Sequence, residues 1–345
     1  MTKQVKIGNV VIGGGNPVAI QSMANIKTSK INDVVRQIAE LEVLGCDIIR
    51  VSVKDDDDVK ALSEIKKRIS IPLVADIHFN YKYALKAIDS GVDKIRINPG
   101  NIGSEKNVEE VARALIHSDV AVRVGSNSGS IEKEFLAKYG RSEVSLAESA
   151  LKNVAALERY GVDKIVLSAK ASNVPLTVKT YEYLNKKTDY PLHVGVTEAG
   201  TYNSGIVKSS IGIGSLLLKG IGDTIRVSLT AQPREEIFVA KRILRSVGLD
   251  ENYVEVISCP TCGRTEYDSI SLARKAEELT SGIKKHLKIA VMGCVVNGPG
   301  EAADCDLGIA GGSGYCAFFK NGEVYKKVPF ENVEEEFLKE IEKLV

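Results

Sequence analysis

Three cysteines in the last quarter of the chain have the spacing of ligands to one metal centre. Cys259 and Cys262 stand in the tight turn Cys-Pro-Thr-Cys-Gly, and Cys294 follows the next predicted strand, before a glycine-rich segment. Thiolates at such a spacing are typical of iron–sulfur sites. We therefore predict a metal centre held by these three sulfurs.

Two kinds of metal centre fit this pattern. A structural zinc ion normally has four protein ligands, so it would need Cys294 together with Cys305 or Cys316, and both of these stand singly. A 4Fe–4S cluster can take three cysteines and one weaker oxygen ligand, which leaves one iron exchangeable. Glu301, seven residues beyond Cys294, would supply that oxygen.

Polar side chains mark the carboxyl ends of the predicted strands in the first two thirds of the chain. Five of them are cations, and five cations in one cleft repel one another unless an anionic ligand neutralises them. Arginine matches phosphate oxygens with a planar fork and lysine adds a point charge, which favours a diphosphate. The strand-end residues are Arg50, Asp76, His78, Arg96, Asn98, Arg123, Asn127, Lys170, Thr197, Glu198, Arg226 and Ser228.

Two of these residues are candidates for proton transfer. His78 is either a base or a hydrogen-bonded polar residue of the site. Glu198 lies among cations that keep a carboxylate ionised, so an acid role requires burial or a proton that arrives with the substrate. The segment Ser209–Gly214 would add hydroxyl or N–H donors to an anion if it opens a helix.

A repeated βα pattern predicts the elements that position these side chains. Four segments place a glycine at a helix end before an apolar strand, and they begin at Gly45, Gly91, Gly161 and Gly222. Eight strands alternating with eight helices favour a closed parallel (β/α)8 barrel over a doubly wound sheet, because closure removes the sheet edges. The strands are predicted near Pro17–Ser22, Asp47–Val53, Pro72–Ile77, Lys94–Asn98, Ala121–Val124, Lys164–Ser168, Pro191–Val196 and Thr224–Leu229.

The remaining pattern predicts a plug for the barrel and a second domain. A hairpin at Val5–Ile12 would close the lower end of the barrel. A change of pattern in the polar stretch Leu249–Asn252 predicts a barrel domain over residues 1–250 and a small α+β metal domain over residues 251–345. Further predicted elements are helices at Val34–Leu44, Leu146–Tyr160, Ile206–Leu218, Ile270–His286 and Val333–Val345, strands at Val254–Ile257 and Ile289–Met292, and a hairpin at Asn321-Gly322.

The bulk composition limits the classes of function. The chain has 345 residues, 44% of them apolar, which is enough for one large core and one smaller core. Lysines and arginines number 46 against 45 acids, so a broad surface for nucleic acid or anionic membrane is not expected. Because no apolar signal segment or bilayer-length stretch is present, we expect a cytoplasmic protein.

Together the motifs resemble the 4-hydroxy-3-methylbut-2-enyl diphosphate synthase family, the iron–sulfur enzymes of the methylerythritol phosphate route to isoprenoids. The most specific segments are Ser258-Cys-Pro-Thr-Cys-Gly-Arg264 and Met292-Gly-Cys-Val-Val-Asn-Gly-Pro-Gly-Glu301. One departure follows Met23, where the family usually has Thr-Asn-Thr and this chain has Ala-Asn-Ile. The other matching segments are Gln21-Ser-Met23, Ala75-Asp-Ile-His78, Ile95-Arg-Ile-Asn-Pro-Gly100, Arg123-Val-Gly-Ser-Asn127, Ser168-Ala-Lys-Ala-Ser172, His193-Val-Gly-Val-Thr-Glu-Ala-Gly200 and Gly222-Asp-Thr-Ile-Arg-Val-Ser228.

The resemblance implies a substrate, a cofactor and partners. It implies a 4Fe–4S cluster on Cys259, Cys262, Cys294 and Glu301, and strand-end residues that bind 2-C-methyl-D-erythritol 2,4-cyclodiphosphate. Two electrons from flavodoxin or ferredoxin would open the ring, and Glu198 would give a proton to the departing oxygen. A homodimer is implied as well, in which the cluster domain of one chain closes over the barrel of its partner.

Two other functions stay open on the residues alone. One is a barrel enzyme acting on a sugar or pterin phosphate, with a structural zinc domain. The other is a non-catalytic redox sensor in which Cys259 and Cys262 exchange disulfides, although a sensor does not need five converging cations.

Overall fold

Eight parallel strands that alternate with helices make up the first 249 residues, after an amino-terminal hairpin. The computed structural model describes residues 1–296, residue 300 and residues 302–344. The hairpin consists of β1 (Val5–Ile7) and β2 (Val10–Ile12). The barrel strands are β3 (Ala19–Met23), β4 (Ile48–Val53), β5 (Leu73–Ile77), β6 (Lys94–Ile97), β7 (Ala121–Asn127), β8 (Ile165–Lys170), β9 (His193–Val194) and β10 (Thr224–Ile225).

The helices cover the outside of this sheet, as the predicted pattern requires. One short helix, Lys133–Tyr139, is additional to the expected eight. The three barrel helices whose bounds were predicted begin three or four residues too late, because their first turns lack regular apolar periodicity. The helices are α1 (Ile31–Val43), α2 (Asp56–Lys67), α3 (Tyr81–Asp89), α4 (Glu105–Ile116), α5 (Lys133–Tyr139), α6 (Glu143–Glu158), α7 (Val174–Asn185), α8 (Tyr202–Leu217) and α9 (Pro233–Ser246).

The barrel closes between β8 and β9 with help from a tyrosine. The Leu167 amide donates to the Pro191 carbonyl at 2.9 Å near the base of this seam. Higher up, the Tyr181 hydroxyl of α7 donates to the His193 carbonyl at 2.6 Å and accepts from the Ala169 amide at 3.2 Å. The predicted (β/α)8 barrel is thus confirmed over the doubly wound alternative.

Aspartates at the base of three strands fix the register of the neighbouring strand. Each follows a glycine of the βα repeat, and Gly45, Gly91 and Gly222 all have a positive φ that favours glycine. Each carboxylate accepts the amide N–H of a residue at the start of the adjacent strand. The pairs, each 2.7 Å from Oδ2 to N, are Asp47 with Ile20, Asp93 with Leu73, and Asp223 with Leu192.

The amino-terminal hairpin plugs the lower end of the barrel, as predicted. Val5, Ile7 and Ile12 are buried against apolar residues near the start of five barrel strands. This packing excludes water from the lower end, so the polar interior is bounded below by an apolar floor. The strand residues in this floor are Ala19, Ile48, Val74, Ala121 and Val166.

The second unit, Asp250–Val345, is built on a five-stranded mixed sheet. The first three strands run parallel to one another, and the fourth and fifth strands each run antiparallel to the strand before. The Asn321-Gly322 hairpin is confirmed, with positive φ at both residues. The predicted helix to His286 is too long, because α10 ends at Thr280, and β13 was not predicted. The elements are β11 (Val254–Ser258), α10 (Ser269–Thr280), β12 (Leu287–Met292), β13 (Leu307–Gly311), β14 (Tyr315–Lys320), β15 (Glu323–Pro329) and α11 (Val333–Glu342).

Among the helices of the described chain, none combines the length and the apolar character needed to cross a membrane.

Candidate active site and metal centre

The strand alternation brings most of the predicted polar residues into one inner layer of the barrel. Asp76, Arg96 and Arg123 are direct neighbours across β5, β6 and β7. Arg50 and Arg226 approach the same layer from β4 and from the end of β10, so the electrostatic field of each acts on Arg123. Side chains on neighbouring strands at the same level converge because every second residue points inward.

Asp76 is the central carboxylate of this layer. Its Oδ1 lies 3.2 Å from Arg96 Nη1, and its Oδ2 lies 3.7 Å from Arg50 Nε and 4.0 Å from His78 Nε2. Burial raises the pKa of Asp76, but Arg50, Arg96 and Arg123 together lower that pKa below its ordinary value. The carboxylate is therefore ionised, and it anchors two of the arginines.

The other cations of the layer have too few acceptors. Arg123 is 3% exposed, and its Nε and Nη1 have no hydrogen-bond partner in the described part of the chain. Burial, followed by repulsion from Arg50 and Arg96, lowers the pKa of Arg123 far below its ordinary value, and Lys170 is affected in the same way by burial, Arg123 and Arg226. Buried donors without acceptors are costly, so this cleft is suited to a multiply charged anion.

The rim residues differ in exposure. Asn98 is buried, and its Oδ1 accepts from the Gly100 amide at 3.1 Å, which fixes the loop after β6. Asn127, Thr197 and Ser228 are half-buried, while His78 is exposed and its Nδ1 is 3.0 Å from Arg96 Nη1. All of them follow or close barrel strands at the upper end, and His78 is the exposed one among them.

Glu198 is exposed and has a left-handed backbone, with a φ of 52°. A residue with a Cβ rarely adopts this conformation, and such backbone strain tends to occur at functional sites. The loop after β9 therefore presents the Glu198 carboxylate to solvent at the mouth in a conformation that costs energy.

The expected contribution of Ser209–Gly214 is wrong. This segment lies in the second half of α8, so it does not open a helix and its N–H groups are used within the helix. Gly212 has a packing role, because a Cβ there would lie 2.5 Å from the Val196 side chain.

Four polar residues of the barrel interior were not identified from the sequence. We call the inner layer formed by Arg50, Arg96, Arg123 and Arg226 the arginine layer. Three of the four residues lie below it and are almost inaccessible to solvent: Gln21, Lys94 and His193. Glu236 reaches the layer from α9, outside the sheet, with Oε1 3.2 Å from Arg226 Nη2. The strand period could have revealed Lys94, which stands two residues before Arg96, but no sequence pattern marks Glu236.

The three predicted sulfur ligands lie beyond the carboxyl ends of two parallel strands of the second unit. Cys259 follows β11 and Cys294 follows its neighbour β12. The Gly293 amide donates to Cys259 Sγ at 3.0 Å. The backbone and side chain of Arg264 lower the pKa of the Cys262 thiol, which favours the thiolate that binds metal.

The other three cysteines are buried and stay protonated. Burial raises the pKa of Cys46 and Cys316 to about 12 and that of Cys305 to about 11. Cys259 and Cys294 are half-buried and Cys262 is exposed. The accessible thiols are therefore the three predicted ligands, whereas a zinc site would have to recruit a fourth thiol from the core.

The donor set fits an iron–sulfur cluster. Across the described chain, no three His, Cys, Asp or Glu side chains already surround a metal position. Glu301 lies outside the described residues. Three accessible soft sulfurs at one edge of a sheet, two of them close to N–H donors, are nevertheless the ligands that such a cluster requires, and cluster binding would draw them together.

Two family models cover the chain. The GcpE TIM-barrel domain matches residues 2–241, and the GcpE protein C-terminal domain matches residues 255–343. The chain belongs to the GcpE family. Relatives of this GcpE chain include two proteins named 4-hydroxy-3-methylbut-2-en-1-yl diphosphate synthase (flavodoxin). That of Caldanaerobacter subterraneus subsp. tengcongensis is 56% identical over 100% of this chain and 98% of its own length, and that of Clostridium perfringens is 53% identical over 99% and 98%.

Solved structures show the likeness of the GcpE barrel to other barrels. Dihydropteroate synthase from Stenotrophomonas maltophilia has a TM-score of 0.52 at 13% identity and covers 72% of this chain and 98% of its own. The enzyme from Xanthomonas albilineans has a TM-score of 0.51 at 11% identity and covers 71% and 98%. At this level of identity the likeness shows the fold alone.

Proposed function

We propose that this GcpE chain converts 2-C-methyl-D-erythritol 2,4-cyclodiphosphate to 4-hydroxy-3-methylbut-2-enyl diphosphate, a reductive step of isoprenoid biosynthesis. Relatives that match over their whole length carry the name of that synthase. The structural observation that supports the proposal is the inner layer of five cations with unpartnered buried N–H groups. A doubly charged cyclic diphosphate would supply the missing acceptors and the missing charge.

The barrel, residues 1–250, holds the substrate in this proposal. Asp76 forms ion pairs with Arg50 and Arg96, while Arg123, Lys170 and the remaining donors of Arg226 are left to bind the diphosphate oxygens. The rim adds neutral and weakly basic donors around the rest of the ring. These rim residues are His78, Asn98, Asn127, Thr197 and Ser228.

The second domain, residues 251–345, holds the redox centre. Cys259, Cys262, Cys294 and Glu301 would bind a 4Fe–4S cluster, which when present would pass two electrons, one at a time, from a reduced donor to the substrate for ring opening. Glu198 gives a proton to the departing oxygen, which leaves as water. The protein contributes placement of the substrate, neutralisation of its charge and this proton.

The proposal extends to the electron donor and to the assembly of the protein. The name of the relatives supports flavodoxin as the electron donor, with ferredoxin as the alternative. We also propose a cytoplasmic homodimer in which each cluster domain serves the barrel of the partner.

Metal analysis combined with turnover tests the proposed function. After anaerobic reconstitution with iron and sulfide, we expect about four iron and about four sulfide per chain. Supplied with reduced flavodoxin or a strong chemical reductant, this protein should consume the cyclic diphosphate and release the allylic diphosphate. One zinc per chain and no turnover would contradict the proposal.

A further inference from the structure

Lys94 crosses the interior of the barrel beneath the arginine layer. Its backbone lies on β6 between Val74 and Ala121, at the level of the apolar floor, and its side chain is 0% exposed. The Nζ atom lies 3.0 Å from Oε1 of Gln21 on β3, which is three strands away in the sheet. The amine is therefore sealed inside the barrel, between the floor and the arginines.

An ammonium group at this position would lack hydrogen-bond acceptors. It would carry three N–H donors, whereas the described contacts of Lys94 offer one acceptor, the neutral amide of Gln21. No carboxylate of the described chain lies within ion-pair distance of its Nζ, as the carboxylate of Asp93 does for the lysine at position 66. A buried ammonium without a counter-ion is strongly unfavourable, so the neutral amine is the stable form while the site holds no anion.

The charged groups around Lys94 also favour its neutral form. Burial is the largest cause that lowers the pKa of Lys94 well below its ordinary value, and the positive charges of Arg123 on β7 and Arg50 on β4 lower it further. The pKa of His193 on β9 is also lowered, first by burial and then by cations that include Lys94. Asp76, the carboxylate of the layer above, is already engaged by arginines. The floor below contributes only apolar side chains.

We propose that Lys94 is a reserve cation of the diphosphate site, a neutral amine in the ligand-free protein that takes up one proton from solution when the diphosphate binds above it. The proton goes to Nζ, and the negative charge of the ligand compensates the new ammonium. Lys94 is thus a positioning residue that acts through charge and through Gln21, without touching the substrate. The inference rests on the proposed function, because it requires a diphosphate in the arginine layer.

Proton uptake on binding is the direct test. The probe is 2-C-methyl-D-erythritol 2,4-cyclodiphosphate, titrated calorimetrically into cluster-loaded protein without a reductant, in two buffers of different ionisation enthalpy near neutral pH. Each phosphorus of this ligand carries one strongly acidic hydroxyl, so the ligand itself does not titrate there. We expect Lys94→Met to take up about one proton fewer per site than the wild type.

The pH dependence of the binding affinity is an independent measure of the number of protons taken up. Affinity of the wild type should fall as the pH rises, because the ammonium form binds the anion better, with up to about a tenfold change per pH unit for each coupled proton. In Lys94→Met the affinity should fall less steeply with pH, because about one coupled proton is missing.

A second variant avoids a cavity in the core. Gln21→Glu preserves side-chain volume and gives Lys94 a counter-ion, so the ammonium exists before the ligand arrives. Uptake should again fall by about one proton relative to the wild type. The matched control is Lys66→Met, because Lys66 already has a carboxylate partner, Asp93, at 2.6 Å; its uptake should equal that of the wild type.

The outcomes separate the inference from the proposed function. Binding and turnover of the cyclic diphosphate with equal proton uptake in the wild type, Lys94→Met and Gln21→Glu would overturn the role of Lys94 alone. A wild-type protein that does not bind the cyclic diphosphate at all would overturn the proposed function, and the inference with it.

Discussion

Glu236 on helix α9 forms an ion pair with Arg226 at the end of the last barrel strand, with 3.2 Å between Oε1 and Nη2. The same carboxylate accepts from the Leu229 amide at 3.1 Å and from Ser22 Oγ at 3.0 Å. A helix outside the sheet thus supplies the second carboxylate that contacts the arginine layer in the described structure. Its charge holds Arg226 in place before any ligand is present.

Replacing this carboxylate should destabilise the ligand-free protein more than the ligand-bound protein. Glu236→Gln keeps the shape but leaves Arg226 without a counter-ion, which should cost about 1–3 kcal/mol of unfolding free energy. Bound cyclic diphosphate supplies negative charge, so the loss should shrink. Thermal unfolding with and without the ligand measures both values.

The neighbouring Glu235 provides the control for this prediction. It is partly exposed and lies 3.7 Å from Arg234 at the surface, so Glu235→Gln should change stability by less than about 0.5 kcal/mol. An equal loss for Glu236→Gln in the presence and absence of the diphosphate would contradict the compensation argument.

Arg123 should show opposite effects on stability and on binding. Its guanidinium is buried, repelled by other cations and unpartnered at two nitrogens, so Arg123→Leu should leave the ligand-free melting temperature unchanged or raise it. The same change removes a charge-assisted hydrogen bond to the diphosphate that contributes about 1.5–3 kcal/mol, so kcat/KM should fall about 10- to 150-fold. Arg113→Leu, on the exposed face of α4, should change neither quantity much. A variant that unfolds easily but binds normally would remove Arg123 from the site.

Cys262 and Cys316 should respond differently to substitution. Cys262→Ser removes a sulfur ligand that lies at the surface next to Arg264, so we expect loss of bound iron and sulfide, of the brown colour and of activity together. Cys316→Ala changes a buried thiol and should retain all three. Absorption spectra and iron analysis of anaerobically prepared protein make the comparison. A colourless, fully active Cys262→Ser preparation would rule out the cluster assignment.

The aspartates at the strand bases should contribute to stability without affecting catalysis. Asp93 accepts from the Leu73 amide at 2.7 Å and pairs with Lys66 at 2.6 Å, so Asp93→Ala should cost about 2–3 kcal/mol. KM should not change, because this end of the barrel is opposite the mouth. Denaturant unfolding and steady-state kinetics check the two statements.

The chain contains a matched control for Asp93 within its own repeat. Asp163 stands in the same Gly-Val-Asp-Lys-Ile motif, but it is exposed, and its side chain makes no hydrogen bond to a strand amide in the part of the chain that the structure describes. Asp163→Ala should therefore cost less than about 0.5 kcal/mol. Equal destabilisation by the two variants would refute a specific register role for Asp93.

Local patterns in the sequence were sufficient for much of the fold and for half of the site. Glycines at helix ends and apolar strands of regular spacing predicted the barrel, because both features depend on neighbours along the chain. The positions of Arg50, Arg96 and Arg123 near the carboxyl ends of their strands then predicted that they converge on one mouth. Strand β13 was missed because its two glycines, at positions 308 and 311, weaken the strand pattern, and it forms only because it pairs with strands on both sides.

By itself, the sequence determined the (β/α)8 class, the candidate sulfur ligands and the cations at the strand ends, since each is a matter of residue type and short spacing. Only the tertiary structure decided which groups balance those cations. Glu236 comes from a helix ten residues after Arg226, and Lys94 meets Gln21 across the interior of the barrel. The free energy of a charged group in a protein depends on its burial and on the partners that folding brings to it, and these exist only once the barrel has closed.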